Sequence, residues 1–94
     1  VIVINRSKQT DDIIKFVYPN PFTDQINIIL DSGHDATFTV QVFDLRGKLV
    51  IDKNFKTDKM TSSVNINSSY LRNGVYLLKV IDGERSFIRK LTKK

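Results

Sequence analysis

The chain has 94 residues, 40% of them hydrophobic, and carries a net charge of +5. That length sets a single domain with a modest two-layer core, burying roughly 60–65% of its unfolded surface, and leaves little room for a deep substrate cleft. The apolar content excludes a disordered chain, no apolar run approaches the ~20 residues of a membrane-spanning helix, and the absence of cysteine excludes disulfides, thiolate metal sites and a cysteine nucleophile.

A charge of +5 permits nucleic acid, anionic lipid or lipopolysaccharide as partners, but it equally describes a solvated face. The chain opens on Val1 with no signal peptide, so it reads as a piece from the end of a longer protein. Residues 1–5 form a short β-like run. The polar stretch Arg6, Ser7, Lys8, Gln9, Thr10, Asp11, Asp12 holds no packing residue and reads as a linker. The domain is expected over 13–94, with a first strand at 13–18. Pro19 and Pro21 bracket Asn20 and forbid regular strand pairing there.

Strand signals then recur at short spacing. Residues 25–30 alternate, with Ile26, Ile28 and Leu30 on one face, and 31–35 form a turn. Residues 37–44 alternate again, with Phe38, Val40 and Val42 pointing one way. Asp44-Leu-Arg-Gly47 is a tight turn in which Gly47 can take a positive φ. A mixed strand at 48–55 and a polar loop at 56–60 follow. Residues 62–67 alternate around Val64 and Ile66, and 68–73 connect, with Leu71 able to plug the core edge. Residues 74–81 are the most apolar run, expected as a central strand. Asp82-Gly83 is a hairpin turn, and 85–92 close the pattern. Seven short strands and no sustained helical periodicity predict an all-β, seven-stranded antiparallel immunoglobulin-like β-sandwich.

Catalytic chemistry finds no purchase. His34, flanked by Asp31 and Asp35, is more simply a turn residue than a metal ligand. No Gly-x-Ser-x-Gly elbow or phosphate loop exists, and no carboxylate pair sits in an apolar setting. Nucleic-acid binding would need basic residues and exposed aromatics on one face, but Phe87 and Arg89 share a face that Lys90 does not. The aromatics are needed by the core before any sugar-stacking platform. The expectation is therefore no enzyme, no cofactor and no nucleic-acid partner.

Four segments carry a resemblance. Tyr18-Pro19-Asn20-Pro21-Phe22 is followed by the alternating Ile26-Asn-Ile28. Residues 40–50 hold a strand, the Asp44-x-x-Gly47-Lys48 turn and a second strand. Residues 71–80 hold Gly74-Val-Tyr76, and Lys90-Leu91-Thr-Lys93-Lys94 ends the sequence. In this order and spacing they resemble the type A C-terminal sorting domains of the type IX (Por) secretion system, over about 17–94. Leu71-Arg72-Asn73 departs mildly from the small residues usual before the glycine.

The resemblance implies a non-catalytic address on a secreted protein of Bacteroidetes. The domain would travel through the periplasm and be recognised by the outer-membrane translocon, with Lys90, Leu91, Lys93 and Lys94 as recognition residues. A surface sortase would then remove it within Asn5 and residues 6–12, and the cargo domain upstream in the same chain would be released or joined to lipopolysaccharide. The last strand offers an edge for strand addition by a receptor, or for pairing two copies into a dimer. The alternative is an immunoglobulin-like accessory module of a secreted hydrolase, a spacer or carbohydrate binder, which would tolerate loss of its last residues.

Overall fold

The computed structural model describes residues 14–30, 36–58, 60–83 and 85–94. The expected upstream segment at 1–12, a β-like run and then a linker, the domain start at Ile13 and the turn carrying His34 lie outside them. Seven strands form: β1 (Ile14–Tyr18), β2 (Gln25–Leu30), β3 (Ala36–Asp44), β4 (Leu49–Thr57), β5 (Ser63–Asn67), β6 (Gly74–Asp82) and β7 (Arg85–Lys93). They make a three-stranded sheet, β1-β2-β5, and a four-stranded sheet, β4-β3-β6-β7, with every strand pair antiparallel. The immunoglobulin-like sandwich is thus the observed fold.

Alternation in the sequence becomes burial between the sheets. Ile26, Ile28 and Leu30 of β2 face Phe38, Val40 and Val42 of β3, with Leu78 and Val80 of β6 completing the layer. Each such side chain contributes about 1.5–3 kcal/mol on leaving water. Phe38 and its β4 neighbour Phe55 stack at 5.5 Å. As expected, β6 is central, between β3 and β7.

Two irregularities correct the simple period of two. In β1 the buried residues are Ile14 and Val17, an odd spacing that would send one to solvent in a regular strand. A bulge between Ile14 and Phe16 restores both to the core. A second bulge pairs Val42 with Ile51 but Phe43 with Leu49, so Ile51 keeps its inward place.

The expected β4 at 48–55 shifts. Lys48 is held by the preceding turn, and the strand begins at Leu49. It continues through Lys56 and Thr57, expected in a loop, because they extend the ladder opposite Thr37 and Ala36. Thr57 is buried despite its polarity. The loop that follows is closed by Asp58, whose carboxylate accepts the Met60 N–H at 2.8 Å and the Thr61 hydroxyl at 3.1 Å.

Candidate functional site at the end where four motifs meet

The prolines at 19 and 21 do more than interrupt a strand. Both preceding peptide bonds, Tyr18-Pro19 and Asn20-Pro21, are cis. The segment lies along the outer edge of β7. The Phe22 N–H donates to the Thr92 carbonyl at 2.8 Å, and the Lys94 N–H donates to the Phe22 carbonyl at 2.9 Å, a parallel bridge around Lys93. One step back, the Thr92 N–H donates to Asn20 Oδ1 at 3.0 Å, and Asn20 Nδ2 reaches the Lys90 carbonyl at 3.4 Å. Pro19 and Pro21 have no N–H to donate, so the Asn20 side chain takes the place of a neighbouring strand. Residues 72 positions apart are thereby joined into one clasp.

The Phe22 ring fixes the clasp to the core. It is fully buried and meets the Tyr76 ring at 6.1 Å and a 59° tilt. Tyr76 pairs with Asp44 on β3 and with Leu91 on β7, which places the middle, third and last motifs in one row. Its hydroxyl donates to the Arg72 carbonyl at 2.6 Å, four residues upstream, as in the tyrosine corner of immunoglobulin-like folds.

The Asp44 turn forms the other wall. Asp44 Oδ1 accepts the N–H groups of Arg46 and Lys48, both at 2.9 Å, and its backbone pairs with Gly47 and Lys48. Gly47 sits at φ +85°, which explains why glycine stands there. The Lys48 N–H, more than the Arg46 N–H and guanidinium, holds the Asp44 carboxyl below the usual carboxylate value. Between this turn and residues 70–72 opens a cleft of about 290 Å³, floored by Val50, Leu71 and Tyr76 and rimmed by Arg46, Lys48, Tyr70 and Arg72.

The residues expected from sequence distribute unevenly. Lys90 and Lys94 are exposed. Leu91, expected at a receptor, is 1% exposed and belongs to the core. Lys93, likewise expected there, is 8% exposed and donates from Nζ to the Leu71 carbonyl at 3.1 Å. Tyr18, Pro19, Asn20 and Pro21 are all exposed around buried Phe22, and Gly74 pairs with Lys93. Phe87 and Arg89 do share a face, with the guanidinium 5.1 Å from the ring centroid. Sequence reasoning missed the Asn20 bridge and the assembly of Tyr70 and Arg72 with the Asp44 turn. The only hint of the first was an amide placed between two residues that cannot donate. Among the described residues there is no cluster of metal-ligating side chains and no helix long and apolar enough to cross a membrane.

The comparisons with known proteins bear on the family and the fold. The family model described as "Secretion system C-terminal sorting domain" matches residues 16–94. None of the curated proteins matches the chain. Among solved structures, dimeric latent PorU from Porphyromonas gingivalis is similar in fold, with a TM-score of 0.63 at 18% identity. The match covers 85% of this chain and 9% of PorU.

Proposed function

This chain belongs to the secretion system C-terminal sorting domain family, and from that premise we propose that the clasped end of the sandwich is the surface the type IX translocon reads. Family membership makes the chain a type IX sorting signal, in a family that is generally non-catalytic, carried by a protein bound for the outer membrane or the medium. The observation that supports the finer reading is the clasp itself: Asn20 and Phe22 hold Thr92 and Lys94 in a fixed geometry. An address made this way is read folded, as a surface assembled from distant segments, and not as a loose peptide.

In this reading Lys90 and Lys94 are the direct contacts, steering toward an acidic receptor surface. Leu91 and Lys93 act by position, since their side chains are buried. Tyr18, Pro19 and Pro21 frame the same surface. The clasp covers the edge of β7 from the Lys90 carbonyl onward, so on β7 strand addition by the receptor, or by a second copy, is left to residues 86–90. Transit through the periplasm is as a folded domain, and a sortase then cuts within residues 5–12 to free the upstream cargo.

A fusion assay tests the proposal. The chain is placed behind a signal peptide and a fluorescent reporter in a Bacteroidetes host with a working type IX system, beside an isogenic translocon mutant. Export of the wild type and at least tenfold loss in the Lys90→Glu/Lys94→Glu variant, with an unchanged melting temperature, supports recognition at this end. Wild-type export of that variant overturns it. Retention in both strains returns the accessory-module alternative.

A further inference from the structure

The cleft beside the clasp carries a charge pattern that the clasp does not explain. Its rim carries three cations, Arg46, Lys48 and Arg72, against one carboxylate, Asp44. The carboxylate is committed to its own turn through two N–H bonds, and its contact with the Arg46 guanidinium is a loose 3.6 Å. Neither Lys48 nor Arg72 has an ion-pair partner among the described residues. Lys48 and Arg72 thus line the cleft without an ion-pair partner among the described residues, beside Val50, Leu71 and buried Tyr76. Tyr70, 62% exposed, adds a hydroxyl donor and a ring face at the rim.

We infer that this cleft takes an acidic side chain from an extended segment of the receptor protein, its carboxylate held by Arg46, Lys48 and Arg72. The inference rests on the sorting reading above for the receptor being a protein. The chemistry separately favours a carboxylate over a phosphate. Phosphates are commonly cradled by free backbone N–H groups, and in this turn the N–H groups of Arg46 and Lys48 are filled by Asp44 Oδ1 and that of Gly47 by the Asp44 carbonyl. Planar guanidinium groups match carboxylate and phosphate alike in bidentate fashion, so the discrimination rests on the occupied N–H groups. The volume, about 290 Å³, also suits a side chain and its neighbours better than a lipid-linked saccharide.

The test uses the ¹⁵N-labelled chain titrated with a hexaglutamate peptide and, separately, with glucose 1-phosphate. Hexaglutamate is expected to shift the amides of Arg46, Lys48 and Arg72 in a saturable way. Affinity should fall at least tenfold in Arg46→Ala/Arg72→Ala, but not in Lys53→Ala/Lys56→Ala, which removes the same charge from exposed positions on β4. The reporter fusion carrying Arg46→Ala/Arg72→Ala should lose export at least tenfold. Equal weakening by both double variants would make the attraction a delocalised charge effect and overturn the site. Tighter binding of glucose 1-phosphate at the same amides would overturn the acidic peptide as occupant. Wild-type export of Arg46→Ala/Arg72→Ala would overturn the inference while the sorting reading stands. Translocon-independent export of the wild-type fusion would remove both.

Discussion

Asp44 and Gly47 show how single residues set the geometry of this end. The Asp44 carboxyl is held below its ordinary value of 3.8, first by the Lys48 N–H, so folding favours its charged form. A group depressed in this way contributes stability above its unfolded pKa and loses it as pH falls through the folded value. Asp44→Ala should therefore lower the melting temperature at pH 7, and the gap from wild type should narrow as pH drops below the ordinary carboxylate range. Asp58 is depressed for a similar reason, chiefly the Met60 N–H, but it is common to both proteins and cancels in the difference. A gap independent of pH would mean the carboxylate's charge plays no part in the turn. Gly47 offers a cleaner case. A Cβ there would meet nothing within 4 Å, so only the backbone at φ +85° resists it. Gly47→Ala should cost about 1 kcal/mol, and Gly47→Asn less, because asparagine tolerates that conformation better. In a domain this small about 1 kcal/mol is roughly 4–8 °C of melting temperature, readable by calorimetry.

At the level of elements, the strands were legible because burial on one face forces alternation. The runs around Ile26, Phe38 and Val64 each announced a strand and its inward side, and the apolar run around Leu78 announced a central strand. What alternation could not convey was pairing that breaks the period. The β1 bulge places Ile14 and Val17 on one face, and the polar end of β4 forms because β3 is long enough to pair with it. The clasp is a further step removed, since it is a one-residue parallel bridge plus a side-chain mimic of a strand. Its two halves can be separated by measurement. In Asn20→Ala the Thr92 N–H loses its acceptor, whereas the Lys94 N–H keeps the Phe22 carbonyl. Amide hydrogen exchange at Thr92 should accelerate at least tenfold, with Lys94 and the β6 amides much less affected. Uniform acceleration across β7 would instead mean that Asn20 stabilises the whole strand.

For the molecule as a whole, the sequence order of the motifs held no information on their assembly. Tyr18 to Phe22, Asp44 to Lys48, Gly74 to Tyr76 and Lys90 to Lys94 meet only because β3, β6 and β7 are neighbours and the clasp crosses between sheets. Basic character likewise could not separate Lys90 and Lys94, which are exposed, from Lys93, whose ammonium is held by the Leu71 carbonyl. This matters for the most obvious experiment, removal of residues 90–94. That deletion takes out fully buried Leu91, worth about 2–5 kcal/mol on truncation of a core leucine to alanine, and deprives Asn20 and Phe22 of their partners. The total is comparable with the whole stability of a small domain, about 5–15 kcal/mol. Deletion of 90–94 should therefore lower the melting temperature by more than about 10 °C, or abolish the transition, and any loss of export would follow from unfolding as readily as from a missing contact. Lys90→Glu/Lys94→Glu leaves Leu91, the Lys93 contact and the backbone clasp in place, and its melting temperature should stay within about 3 °C of wild type. A deletion that melts like wild type would show that residues 90–94 are dispensable to the sandwich. It would also make the clasp a surface decoration, with no part in holding the four motifs together.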